Sequence, residues 1–267
     1  MKLLAHGLAA LALLFYADVN ASYITMATDF LIVKKEDGLL LTVTTQNLGD
    51  EPAYGIQFEV QAGQQEFVSA SVSQLGVNQK ASSDFPIDNV FRLPGHYPVL
   101  IKTHYQDANA YPFTALAVGF YDFEYPVVSK VLVRAENVNI PANGKGTISF
   151  TVRNNDSVAR ELDITLHLPD ELAVLQDKDQ ITIAPKGSES VRYTVENFSA
   201  LENSAYAVTL VAEYEDGKYH YSAAGSGIIR IVASSFMAGY SLWTVLAAAG
   251  VLLVLLVVVI LVRRKQG

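Results

Sequence analysis

The sequence predicts an all-β chain, two tandem β-sandwiches, closed by one C-terminal transmembrane α-helix. Three observations predict it. Short segments alternate apolar and polar residues, with turn signals roughly every 8–12 residues, as half-buried antiparallel strands do. The first half of the chain can be laid over the second at a shift of about 107–109 residues. An uncharged apolar run near the C-terminus is long enough to span a bilayer core of about 30 Å.

Composition sets the frame. The chain has 267 residues, 51% hydrophobic and 17% charged, no cysteine and a formal charge of −8. That length accommodates one or two domains. Positive mean hydropathy suggests that part of it lies outside water. The negative charge removes the basic footprint of a nucleic-acid binder. Without cysteine there are no disulfides, thiol nucleophiles, Cys-ligated zinc or Fe–S clusters.

Residues 1–21 read as a secretory signal peptide: Lys2, an apolar run from Leu3 to Tyr16, and small residues before a cut after Ala21. At the other end, residues 241–262 carry no charge, and Val251–Val262 is almost solid Leu, Val and Ile. Tyr240 and Trp243 stand where an interfacial aromatic belt belongs, and Arg263, Arg264 and Lys265 close the run. Positive residues stay on the cytoplasmic side, so residues 263–267 are the expected cytoplasmic tail and the body is extracytoplasmic, in the periplasm or at the cell surface. Without Lys2, Asp18 and the three cationic tail residues, the formal charge of the outer part moves from −8 to about −11.

The repeat divides the outer part into residues 22–125 and 126–233. Leu41-Thr42-Val43-Thr44-Thr45-Gln46-Asn47 answers Ile148-Ser149-Phe150-Thr151-Val152-Arg153-Asn154. Each is followed by a polar turn and an alternating strand, Ile56–Val60 or Leu162–Leu166. Tyr97–Ile101 answers Tyr206–Leu210, and Tyr111–Ala115 answers Tyr219–Ala223. Between the last two strands, Glu215-Asp216-Gly217-Lys218 is a tight-hairpin signal, because Asp-Gly supplies the positive φ that the turn needs. Asp107-Ala108-Asn109 does the same job less cleanly.

Leu93-Pro94-Gly95-His96-Tyr97 has the form of a tyrosine corner, in which a Tyr at the start of the sixth strand bonds back to the preceding backbone. Leu201 to Val208, with Tyr206, is the second copy's version. Tyr97 and Tyr206 are therefore candidate structural corners of two immunoglobulin-like (Ig-like) β-sandwiches. Where antibody domains place a disulfide cysteine two residues later, Val99 and Val208 stand here, so aliphatic packing holds the core.

The run Gly144–Asn155, with Leu166-His167-Leu168-Pro169, Ile181–Gly187 and Tyr214-Glu215-Asp216-Gly217-Lys218-Tyr219, resembles the CARDB-type and S-layer-associated Ig-like modules of prokaryotic envelope proteins. The second copy matches over most of its length, the first mainly at Thr42–Val60 and Leu93–Ala115. The resemblance implies spacer, adhesion or assembly modules and carries no catalytic residue.

The search for chemistry returns little. The histidines His6, His96, His104, His167 and His220 have no zinc-protease spacing, and GxSxG, Walker A, GxGxxG and HExxH motifs are absent. Asp170-Glu171 and Asp177-Lys178-Asp179 read as acidic, solvated loops, since no EF-hand pattern surrounds them. No catalytic, cofactor or metal residue is assigned. Phe120, Tyr121, Phe123 and Tyr125 form the most aromatic stretch and fall where the copies meet, so they are the candidate interdomain aromatic joint. Exposed in a planar row they would suit sugar stacking; buried at the joint they would not.

The expectation is a non-catalytic, membrane-anchored envelope protein acting as scaffold or protein-interaction subunit. Its partners would be a membrane or envelope protein, and the lipid bilayer through one helix. The alternative is a carbohydrate-binding or adhesion protein with a polysaccharide ligand. Two sandwiches in line would hold the N-terminal tip about 70–80 Å from the bilayer.

Overall fold

A computed structural model describes residues 23–36, 38–87 and 90–233. The signal peptide, Trp243 with the rest of the apolar run, and the Arg263, Arg264 and Lys265 flank lie outside the described residues. Among the described residues no helix is long and apolar enough to cross a membrane, and every regular element is a strand.

The first module contains β1 (Met26–Lys35), β2 (Gly38–Asn47), β3 (Ala53–Ala62), β4 (Gln65–Val68), β5 (Val72–Leu75), β6 (Lys80–Pro86), β7 (Gly95–Gln106) and β8 (Pro112–Phe123). The second contains β9 (Val131–Ala135), β10 (Val138–Pro141), β11 (Lys145–Asn154), β12 (Arg160–His167), β13 (Leu172–Val174), β14 (Lys178–Ile183), β15 (Ser188–Asn197), β16 (Ala205–Asp216) and β17 (Tyr219–Val232).

In the second module a sheet ordered β13-β15-β11-β9 faces one ordered β14-β12-β16-β17, with β10 added in parallel to β17. That is the strand order of an Ig-like sandwich. The first module repeats it more sparsely: β1-β2-β6 faces β8-β7-β3, with β4 and β5 both on the far edge of β3. The pairs that the sequence repeat matches, β2 with β11, β3 with β12, β7 with β16 and β8 with β17, occupy equivalent places.

Alternation explains why these segments are strands and which way they face. In β2, Leu41, Val43, Thr45 and Asn47 point inward, while Thr42 and Thr44 face out and hydrogen-bond across the sheet to Asp84 and Ser82. Two separate cores result. One gathers Leu41, Ile56, Phe58, Val60, Val99 and Ile101; the other gathers Ile148, Phe150, Leu162, Ile164, Leu210 and Ile229. Val99 and Val208 are both fully buried. Full burial of such side chains contributes about 1.5–3 kcal/mol each, which is how the cores cohere without a cross-link.

The same buried asparagine closes the same turn in both modules. Asn47 Oδ1 accepts from the Gly49 N–H, and its Nδ2 donates to the carbonyls of Glu51 and Leu75. Asn154 Oδ1 accepts from the Asp156 N–H, and its Nδ2 donates to the carbonyls of Val158, Ile183 and Ala184. Only a side chain that both donates and accepts satisfies such a turn where water cannot enter.

The modules do not stand in line. They lie side by side, β17 pairing in parallel with β7 so that the corresponding strands β7 and β16 run in opposite senses, and they touch at both ends of β7. At its start, Gly95 pairs with His220 of β17; beyond its end, the Tyr111 hydroxyl donates to the Ser199 carbonyl. Strand β17 lies against β7, and β8 lies against β16. Each module thus presents its last hairpin to the other's tyrosine-corner loop, and an approximate two-fold axis relates the two contacts.

Candidate functional site

The groups with unusual environments collect along this seam. At one end, the Tyr97 hydroxyl donates to the Leu93 carbonyl at 2.8 Å and accepts from the Leu93 N–H at 3.1 Å. The loop so fixed offers its next backbone groups to the other module. The His220 N–H donates to the Pro94 carbonyl at 3.0 Å, and Ser222 Oγ donates to the His96 carbonyl at 2.7 Å. The His220 ring stacks flat on Tyr97, with Nε2 3.0 Å from Glu213 Oε1. Burial raises the Tyr97 hydroxyl pKa above its ordinary value, and the charges of Glu215 and Glu213 push the same way.

Tyr206 occupies the matching place at the other end but does not repeat the bond. Its buried hydroxyl lies beside Ser204 and the Leu201 backbone without the paired donor-and-acceptor bond that Tyr97 makes, and the turn is closed by Ser204 Oγ donating to the Leu201 carbonyl.

That end holds a polar cluster. Glu171 is 2% exposed. Its Oε1 accepts the Thr114 N–H at 2.7 Å across the seam, while its Oε2 is buried without a partner. Burial raises the carboxyl pKa above the usual range. Tyr105, whose hydroxyl is also pushed up by burial and then by the Glu171 charge, packs nearby. His104 lies 3.3 Å from Glu59 Oε2 and 3.4 Å from Asp170 Oδ2, and Lys102 Nζ pairs with Asp170 Oδ1 at 2.7 Å. His104, Tyr105, Thr114, Asp170 and Glu171, with Phe113 and Phe198, line a cleft of about 370 Å³ between the modules.

Chemically the cleft brings together the buried Glu171 carboxyl, the exposed Asp170 carboxylate, the His104 ring and the rings of Tyr105, Phe113 and Phe198. That suits holding a hydrogen-bond donor, and the Thr114 hydroxyl lies 3.5 Å from His104 Nδ1. Among the described residues no group of three or more His, Asp or Glu is arranged to hold a metal ion.

The four residues expected to form an aromatic joint are distributed differently. Phe120, Tyr121 and Phe123 belong to β8 of the first module. Phe120 stacks on His96, and Tyr121 and Phe123 pack half-buried against Phe91. Tyr125 alone of the four meets a ring of the second module, edge-on to Tyr219. Alternation along β8 sends neighbouring rings to opposite faces, so they make neither one joint nor a planar exposed row.

Glu171 is the residue that sequence reasoning missed. In the motif Asp170-Glu171 both acids look solvated, yet Asp170 is exposed and Glu171 is buried. The available signal was Leu172, which anchors the start of β13 in the core and draws its neighbour in.

No protein-family model matches the chain, and no curated protein matches it. Among solved structures, it is similar to red sea bream transglutaminase at 14% identity, over 79% of this chain and 32% of that one, with a TM-score of 0.27. It is also similar to the native conformation of Escherichia coli alpha-2-macroglobulin at 10% identity, over 78% and 17%, with a TM-score of 0.30. The elastase-activated form matches at 9% identity, over 80% and 22%, with a TM-score of 0.29. The chain spans about a third or less of each of these proteins.

Proposed function

We propose that this chain is a non-catalytic, membrane-anchored envelope protein whose two extracytoplasmic Ig-like modules act as one rigid scaffold or protein-interaction subunit. The observation that carries the reading is the seam. Contacts at both ends of β7, including a backbone bridge and a buried carboxylate taking a cross-module N–H, fix one module against the other. A two-module body of fixed shape suits holding a partner at a set geometry. The signal peptide and apolar run expected from the sequence place that body on the outer face of a membrane, as a single-pass protein with its C-terminus in the cytoplasm. The finer likeness to CARDB-type modules belongs to the same proposal.

Crosslinking in native membranes, followed by affinity capture of the tagged full chain and mass spectrometry, tests it. The expected result is a stoichiometric membrane or envelope protein partner, lost when the seam is opened by substitution at Gly95. Polysaccharide retained in place of any protein would overturn the scaffold reading and favour carbohydrate binding.

A further inference from the structure

We infer that one end of the two-module body rests on the lipid headgroups, with Phe198 as its deepest contact; the inference builds on the anchoring proposed above. Chain geometry selects the end. Strand β17 runs out at Val232, where the Ala142 N–H donates to the Val232 carbonyl and the Asn203 N–H donates to the Ile231 carbonyl. The β15–β16 loop, residues 198–204, is therefore hydrogen-bonded to the point where the chain departs. Between the last described residue, Ala233, and the apolar run at Ser241 lie seven residues, 234–240, which reach roughly 25 Å at full extension. That tether holds this end within roughly 25 Å of the apolar run.

The antiparallel packing brings the matching end of the first module to the same level. The Tyr111 hydroxyl holds the β7–β8 hairpin on Ser199. The neighbouring β2–β3 turn is tied to the start of the chain, the Leu48 N–H donating to the Thr25 carbonyl and the Asp50 N–H to that of Tyr23. Both ends of the described chain thus leave from one face of the body.

This face exposes six large apolar side chains: Tyr23, Leu48, Val77, Phe198, Leu201 and Val232, with Phe198 the most exposed at 78%. The loop carries Glu202, and the first-module turns beside it carry Asp50, Glu51 and Asp107, so the face is acidic even with Glu196 paired to Lys145 at 2.7 Å. Exposed apolar side chains on a face tethered this close to the bilayer suit the membrane–water interface, and the acidic groups around them favour zwitterionic over anionic headgroups.

The absence of cysteine makes the test direct. The full chain carrying Phe198→Cys, and separately Val158→Cys in the β11–β12 turn at the opposite end of the second module, is labelled with an environment-sensitive fluorophore. Both are reconstituted in phosphatidylcholine nanodiscs containing lipids spin-labelled at the headgroup. We expect several-fold stronger quenching at 198 than at 158, with a blue-shifted emission at 198 only. Equal, weak quenching at both positions in a chain that resists alkaline extraction overturns the inference and leaves the anchoring intact. Release of the chain on alkaline extraction overturns the anchoring, and the inference with it.

Discussion

The rings of Tyr97 and His220 lie parallel across the seam, 4.1 Å between centroids and 2° apart, one from each module. The tyrosine is locked from below by its hydroxyl on Leu93, and the histidine from behind by Glu213. A corner that is internal to one sandwich in an ordinary Ig-like domain here also forms the docking surface for a second. The two copies of that corner then make different predictions.

Tyr97→Phe removes a hydroxyl that both donates and accepts, leaving the Leu93 groups unpaired; we expect a loss of about 1–2 kcal/mol in urea unfolding. Tyr206→Phe removes a buried hydroxyl that lacks this paired bond and only lies beside Ser204 and the Leu201 backbone, and we expect a clearly smaller loss. Equal destabilisation by both would contradict the difference between the corners.

Asn47→Ala and Asn154→Ala each strip a buried turn of its donor and acceptor. About 2–4 kcal/mol is the expected cost of each, larger for Asn154, which serves three carbonyls against two for Asn47. Asn154→Asp, nearly the same shape, should be worse than alanine at neutral pH because it turns a charge toward those carbonyls. Thermal unfolding of the three variants checks the order.

Gly95 has no room for a side chain: an added Cβ would lie 2.1 Å from the His220 carbonyl oxygen and 2.7 Å from its nitrogen. Gly95→Ala should part the modules at that end while both cores stay folded. Hydrogen exchange reads this cleanly, with the His220 amide losing protection while the amides of Val152 and Ile101 keep theirs.

Acid should weaken the fold in a defined window. Burial holds the His167 ring at about 4, below its ordinary 6.5. The folded chain keeps it neutral where the unfolded chain protonates it, so stability falls as pH drops from about 6.5 to about 4, by on the order of 3 kcal/mol. Asp156 adds to the loss at lower pH. The Arg160 guanidinium, then the Ser157 N–H and Lys130, hold its carboxyl well below the usual range, so its contribution is present above about pH 4 and disappears below. Glu171 opposes both: its raised carboxyl binds a proton more tightly when folded, so its penalty appears as pH rises above its ordinary value of 4.5. His167→Gln should flatten the upper part of the profile. A pH profile unchanged by that substitution would contradict the burial argument.

Most of the single-module architecture was legible in the sequence, because it follows from local rules. The alternation in Leu41–Asn47 and Ile148–Asn154 fixes strand and facing, and their match at a fixed shift fixes the repeat. The Asp216-Gly217 turn is equally local, with Gly217 at φ 58° and the Lys218 N–H returning to the Asp216 carbonyl. In the first copy the positive φ falls on Ala110 instead, while Asp107 Oδ1 accepts the Asn109 and Tyr111 N–H groups. The seam was not legible. Gly95, His220, Thr114 and Glu171 each look like ordinary turn or strand residues, and their meeting depends on how two finished modules dock. A continuous aromatic run, Phe120 to Tyr125, attracted attention that β-strand alternation disperses.

The side-by-side, antiparallel docking of the modules is the claim on which the shape, the scaffold reading and the membrane-facing end all depend. We would measure it by double electron–electron resonance on the full chain carrying Asn109→Cys in the β7–β8 hairpin and Leu201→Cys in the β15–β16 loop. The account predicts a single narrow distance below about 25 Å, label arms included, because Tyr111 and Ser199 are in contact. Modules in line would put these positions at opposite extremes of two strand lengths, about 70–80 Å apart, and that distance would contradict it.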